Sequence, residues 1–305
     1  MKRFFVSLIV VSLVLSLTVL GFAGTKRVAV LTPYMASVTT NLMIRTFESL
    51  AKEKGWKVTV IDTKGDFGAL ASRMEDMITK RVDAIVLGMA DPIQLKHQVK
   101  MAHDAGIPVF GGDAGFIPGM AMNVTSNNYE LSAIITPYLF NHINNKGNIV
   151  TFIHPAHHGV RKRQLVMEAV LKENKDIKVI ASHFVKVPGP IEDARKAMES
   201  ILLAHPKKGS INAVWAAWDE PAIGALQAIV AAGRQDEIII TGIDGTDQAL
   251  KYIKQGGPFI ATVKQDFKGM AKVLVREIER VFNGKGVSDR IIYVPGKLIT
   301  RSDLE

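Results

Sequence analysis

The sequence predicts an α/β protein of two lobes, each a parallel sheet of about five strands with helices on both faces. Three observations predict it. Short apolar runs alternate strictly with amphipathic helical stretches, the pattern of parallel strands joined by helical crossovers. About ten such runs occur, too many for one comfortable open sheet at this length. The polar stretch Ser126-Asn127-Asn128 breaks the rhythm, and the alternation then restarts.

Met1–Ala23 is read apart from the fold, as an export signal. Lys2 and Arg3 form its positive end, Phe4–Leu20 is apolar and uncharged, and Gly21 and Ala23 supply the small residues of a cleavage site after Ala23. An uncleaved anchor is the alternative reading, since the apolar run is near the lower limit for spanning a bilayer. No cysteine follows, which excludes a lipid-anchored form.

Arg27–Leu31 is the first strand and Thr32–Ser37 its exit loop. The helix predicted from Thr39 to Lys54 carries Leu42, Phe47 and Leu50 on its apolar side and stops at Gly55. Lys57–Asp62 is the second strand. Gly68–Thr79 is a helix with Leu70, Met74, Met77 and Ile78 on one face. Ala84–Leu87 is the third strand, and a helix follows over Gln94–Ala105. The fourth strand begins at Gly106 and leaves through Gly111-Gly112-Asp113; Met120–Val124 is a short fifth.

Past the crossing, Asn128–Asn145 is helical, with a kink expected at Pro137 because proline lacks the N–H and crowds the preceding turn. The strand Gly147–Phe152 leaves through His154–Gly159. Helices Val160–Asn174 and Pro190–His205 flank the strand Ile177–Phe184. Ala213–Ala216 is a buried strand. Asp219 is read as the N-cap of the next helix, with Pro221 in its first turn, an apolar stripe of Ala222, Leu226, Ile229 and Val230, and Gly233 at its end. Ile238–Ile240, the helix Asp247–Gln255, the strand Phe259–Val263, the helix Asp266–Phe282 and the extended Ile291–Val294 complete the series. The expected boundaries are 24–126 with 266–293 for one lobe, and 127–265 with 294–305 for the other.

Composition narrows the function. Cys is absent, so there is no disulfide framework, thiolate metal site or cysteine nucleophile. The chain carries 38 Lys and Arg against 29 Asp and Glu; without Lys2 and Arg3 its net charge falls from +9 to +7. The cations are scattered and no run pairs with exposed aromatics, so the balance reads as a cationic surface and not a nucleic-acid footprint. No GxGxxG follows the first strand, and GxxxxGK[ST], GxSxG and HExxH do not occur. His154, His157 and His158 share a loop, but no nearby carboxylate completes a metal set; cleft lining and plain surface are their other readings. The chain is therefore read as a non-enzyme without metal or cofactor.

What remains is a ring of polar and aromatic groups at strand ends: Tyr34, Ser37, Asp113, Arg161 or Arg163, Trp218, Asp244 and Gln265. Open α/β sheets bind small molecules at that edge. Carboxylates and a guanidinium serve several hydroxyls at once, and an aromatic face packs on the C–H face of a sugar. The mixture suits an uncharged polyhydroxylated ring. Each residue also has a plainer role available: Asp244 in an Asx-turn, Trp218 in the core, Asp113 shaping a glycine-rich bend.

The stretches GIPVFGGD (Gly106–Asp113), LLAHPKKGSINAVWAAWDEPAIGALQAI (Leu202–Ile229), IIITGIDGT (Ile238–Thr246) and GGPFIATVKQD (Gly256–Asp266) resemble the ribose-type periplasmic sugar-binding proteins, soluble receptors of ABC importers. The resemblance covers nearly all of Lys26–Leu298. It implies two Rossmann-like lobes, three crossing strands as a hinge, and ligand held in a closed cleft. It implies ligand contacts at Asp113, Asp244 and Gln265, and at Trp218 where the family commonly has Asn. Three positions depart from the pattern. Ala114 stands where an arginine often follows the first Asp, Thr39-Thr40 where ribose binders carry an aromatic pair, and an ungapped match of the second-lobe arginine lands on Lys162. Helical spacing from Val166 and Val170 favours Arg163 over Arg161 as the cleft residue.

The resemblance thus implies an exported receptor for a neutral monosaccharide or cyclitol: a hexose, a pentose or an inositol-like ring. Its expected partners are an ABC permease and, as a further candidate, a chemoreceptor, with the receptor itself a monomer. A nucleoside or signal-molecule binder of the same fold is the alternative. A transcription regulator would need a helix-turn-helix ahead of Arg27, where the sequence instead reads as an export signal. A sugar-cleaving enzyme would need Asp113 and Asp244 as facing catalytic carboxylates.

Overall fold

The computed structural model describes residues 24–305, so the export-signal reading of Met1–Ala23 lies outside the described residues. Two six-stranded sheets organise the chain. The first uses β1 (Arg27–Thr32), β2 (Lys57–Asp62), β3 (Ala84–Gly88), β4 (Val109–Gly112), β5 (Met122–Thr125) and β11 (Ile291–Tyr293), in the order β11-β5-β4-β3-β1-β2. The second uses β6 (Gly147–Ile153), β7 (Ile177–Phe184), β8 (Ala213–Ala216), β9 (Ile239–Asp244), β10 (Phe259–Lys264) and β12 (Lys297–Thr300), in the order β12-β10-β9-β8-β6-β7. The two orders are the same, read from their own first strands. Each sheet also takes its far edge strand from the end of the chain. The sequence shows no repeat, yet the topology does.

All pairings are parallel except β10 with β12, where Ala261 faces Thr300 and Lys264 faces Lys297 in antiparallel register. The expectation of wholly parallel sheets is corrected there. A chain that leaves β11 and enters β12 after only Val294-Pro295-Gly296 has no room for a crossover helix, so it runs back along β10. The fold class is otherwise the one expected, with helices on both faces of each sheet.

Alternation along the strands builds the cores. In β1, Val28 and Val30 face one apolar layer with Met43, Phe47 and Leu274, whereas Ala29 and Leu31 face the other with Leu70, Met74 and Val99. In the second lobe the largest cluster gathers Phe152, Trp215, Ile229 and Ile240. Helices α1 (Val38–Glu53) and α9 (Phe267–Phe282) pack side by side on the first sheet; α6 (Pro190–Ala204) and α7 (Asp219–Ala231) make the closest helix pair on the second. α4 (Asn128–His142) continues through Pro137. Ala133, the residue whose carbonyl loses its partner there, is exposed, so water can satisfy it.

The chain passes between the sheets three times: between Thr125 and Asn128, between Lys264 and Phe267, and between Tyr293 and Lys297. Both sheets present the carboxyl ends of their strands to the same gap. In each, the strand order reverses beside the first strand of the lobe, between β1 and β3 and between β6 and β8. Such a switch point opens a crevice in an α/β sheet.

Candidate functional site

The loops at both switch points meet around one cavity of ≈ 60 Å³. β1 delivers Tyr34 and Ser37, β3 delivers Met89, and β4 delivers Asp113. From the other lobe β6 delivers His154 and His157, β8 delivers Trp218 and Glu220, β9 delivers Asp244, and α5 (His158–Glu173) delivers Arg163. The space is far below the several hundred Å³ of a typical drug-sized pocket.

Three of these residues hold strained backbone. Met89, Asp113 and Asp244 have φ of +55°, +47° and +132°, where side-chain-bearing residues cost roughly 1–3 kcal/mol each. The strain aims the side chains off the ends of their strands. Asp113 is locked by its N–H donating to the Val124 carbonyl at 2.7 Å and by the Thr125 hydroxyl donating to its Oδ1 at 2.7 Å. Asp244 accepts from Gln265 Nε2 at 2.7 Å and lies 3.5 Å from the Arg163 guanidinium. Arg163 is fixed by donating Nε to Asn128 Oδ1 and Nη1 to the Ala217 carbonyl, both at 2.7 Å. Gln265 Oε1 is buried without a partner.

Burial dominates the electrostatics. It raises the Asp113 carboxyl above the usual carboxylate range, against the pull of Arg163. It raises Asp244 well above that range, again against Arg163, with the nearby Asp219 and Asp113 adding to the rise. Glu220 is raised too, chiefly by burial. Burial pushes the Tyr34 hydroxyl up to about 12. His157 is driven well below its usual range by burial and then by Arg163, so its ring is neutral. Its Nδ1 accepts from the N–H groups of Gly159 and Val160, making it the N-cap of α5.

Contacts between the lobes border the cavity. Tyr34 Oη lies 3.4 Å from His154 Nε2, and the His154 Nδ1–H donates to the Val185 carbonyl at 2.9 Å. Tyr34 packs against the rings of His154 and His157, each 5.9 Å away. The Ser37 hydroxyl donates to Glu220 at 2.7 Å. Arg161 donates to Asp91 at 2.5 Å and to the Pro155 carbonyl at 2.7 Å.

Of the residues singled out from sequence, Tyr34, Ser37, Asp113, Arg163, Trp218 and Asp244 border the cavity. Gln265 stands behind Asp244 and opens onto the adjoining cleft mouth. Arg161 does not join them: Asp91, 2% exposed, needs a cation, and Arg161 turns away from the cavity to supply it. Asp219 is not the N-cap; Trp218 holds that position. The Asp219 carboxylate is wholly buried and accepts from the Thr246 N–H at 2.8 Å and the Thr262 hydroxyl at 2.7 Å, tying the ends of β9 and β10 to α7. Thr39 and Thr40 line the cavity, where no aromatic pair stands.

Glu220 lines the cavity without being among the residues that the strand-end pattern singles out. A signal existed: from Ala222 to Ile229 α7 is apolar at every position except Gln227, so an acid in its first turn had to be buried and partnered. Asn128, which holds Arg163, gave no such signal. Among the described residues no group of three or more His, Cys, Asp or Glu could hold a metal ion, and no helix is long and apolar enough to cross a membrane.

A family model described as a periplasmic binding protein domain matches residues 28–286. The ribose import binding protein of Bacillus subtilis (strain 168) is 29% identical over 83% of this chain and 80% of its own length. The xylitol-binding protein of Mycolicibacterium smegmatis is 28% identical over 89% of this chain and 76% of its own. Among solved structures, an ABC transporter solute-binding protein from Agrobacterium vitis with bound allitol superposes with a TM-score of 0.86 at 28% identity, covering 92% of this chain and 97% of that one. Another, from Bacillus halodurans with bound myo-inositol, gives 0.83 at 25% identity, covering 93% and 97%.

Proposed function

This chain belongs to the periplasmic binding protein domain family, and from that premise we propose that it is the extracytoplasmic solute receptor of an ABC importer, closing by a hinge over a neutral monosaccharide or cyclitol. The observation that carries the reading is the cavity: both lobes line it, both supply carboxylates to it, and hydrogen bonds close over it. Relatives named for ribose and xylitol, and similar solved structures holding allitol and myo-inositol, support the broader class of neutral polyols, to which such a ring belongs.

In this reading Asp113 and Asp244 accept ligand hydroxyls, Arg163 donates to them, and Tyr34 and Trp218 flank the ring. Ser37 acts through Glu220, and Gln265 through Asp244. The lobes comprise 24–126 with 266–293, and 127–265 with 294–305, and the three crossings between them are the hinge. The receptor carries no catalytic step, is exported to the periplasm as a monomer, docks on a membrane permease and is a candidate ligand for a chemoreceptor. Hinge closure around ligand is the switch that such a partner reads.

Thermal unfolding with a panel of pentoses, hexoses and inositols tests the proposal. A cognate ring at a hundredfold excess over its Kd stabilises the folded protein by about 2.7 kcal/mol. A flat response across the panel overturns it.

A further inference from the structure

We propose that the cavity also selects its ring by charge: a polyol carrying a protonated amine binds more tightly than the same ring with a hydroxyl there, and a ring carrying a carboxylate is refused. This rests on the reading of the cavity as a polyol site and adds which occupant suits it best.

The charges around the cavity do not balance. Asp113, Asp244 and Glu220 line it, at 3%, 6% and 5% exposure, against the single guanidinium of Arg163. The neighbouring cations are engaged elsewhere. Arg161 is held by Asp91, and the Lys162 ammonium sits over the Tyr129 ring, 5.1 Å from its centre. Ala114, buried beside Asp113, brings no second cation. His157 is neutral and accepts hydrogen bonds through Nδ1.

The hydrogen-bonding sense is one-sided as well. Arg163 already gives Nε and Nη1 to Asn128 and Ala217. Gln265 gives its amide N–H to Asp244, and its Oε1 stays buried with nothing donating to it. That orphaned oxygen, in a side chain 3% exposed, leaves an unmet acceptor behind Asp244, on the side of the adjoining cleft mouth. Ionised carboxylates and an amide oxygen only accept. A hydroxyl brings one donor, whereas an ammonium brings three and no acceptor. It also brings a positive charge beside three carboxyls whose ionised form burial disfavours, so binding favours that ionised form, and buried charges interact far more strongly than in water. A ligand carboxylate would bring acceptors and a further negative charge to the same wall.

Isothermal titration calorimetry on the purified protein with matched rings decides the matter. The probes are glucose, glucosamine, N-acetylglucosamine and glucuronate, together with myo-inositol and a mono-amino inositol. For a ring that binds, the amine is expected to bind at least tenfold tighter than its hydroxyl parent. The uncharged N-acetyl form should gain nothing, and the carboxylate should give no heat of binding. An amine no tighter than its parent, or a carboxylate bound as well as the parent, overturns the charge selection while leaving the polyol reading intact. Failure of every neutral and amino ring, here and in the thermal panel of pentoses, hexoses and inositols, overturns both. Asp113→Asn and Glu220→Gln each remove one charge and keep the shape. Each should lower the amine-to-parent ratio at least fivefold, with folding followed by Tm, and a ratio unchanged in both folded variants also overturns the proposal.

Discussion

Asp244 places a carboxyl where burial disfavours its charge. Its folded pKa stands well above its unfolded one, through burial first and neighbouring carboxylates after. Such a group contributes fully to stability below the unfolded pKa, and the contribution is lost as pH rises through the folded value. By that linkage Asp244→Asn is expected to raise the Tm of the ligand-free protein at pH 7 by the equivalent of about 1–2 kcal/mol. Paired thermal melts from pH 4 to 7 should show that gain growing as pH rises. The same variant should bind the cognate ring at least tenfold more weakly, since removing a hydrogen bond to a charged group costs roughly 1.5–3 kcal/mol. Trp218→Ala, which strips an aromatic wall from the cavity, is expected to weaken binding by about 2 kcal/mol, roughly thirtyfold, in a titration. These residues were visible in the sequence because each stands directly at a strand end in a short distinctive run, such as GGD or GIDGT. Glu220 and Asn128 were not, because their roles depend on what lies across the gap or on the neighbouring helix.

At the scale of elements, the α6–α7 pair carries the clearest test. A Cβ at Gly224 would run into the carbonyl oxygen of Ile191 and the amide of Arg195, so the bare glycine sets how closely α7 lies on α6. Gly224→Ala is expected to lower stability by about 1–3 kcal/mol by overpacking, read from urea unfolding, with ligand affinity changed only a few-fold because the cavity wall is untouched. Most elements were legible from alternating apolar runs and helical stripes. β12 was not: Lys297–Thr300 is short, half-exposed and half-polar, and its place is set by the edge of β10 more than by its own pattern. The start of α5 also escaped, because its cap is a buried histidine and not one of the usual capping residues.

For the whole molecule, the two-lobe plan followed from strand count and the break at Ser126–Asn128, but the closing contacts could not. Asp91 with Arg161 and Ser37 with Glu220 join residues far apart in the chain, and nothing local announces them. The Asp91–Arg161 pair lies outside the cavity and holds the lobes together, so it acts on the closed population and not on the ligand. With the guanidinium a third exposed, solvent screens much of its strength. Arg161→Ala is expected to weaken apparent affinity roughly fivefold, by lowering the fraction of molecules that are binding-competent. Small-angle scattering of the ligand-free variant should show a larger radius of gyration than the parent.

The wall position of Trp218 gives the molecule an optical gauge. The chain has three tryptophans. Trp215 is sealed in β8 with its indole N–H on Thr136, and Trp56 packs on Phe282. Trp218 borders the cavity, edge-on to His154. Occupancy changes the surroundings of that indole and leaves the other two as they were. Intrinsic emission excited at the indole band therefore reports ligand capture in unlabelled protein, and loss of that signal in Trp218→Phe assigns it.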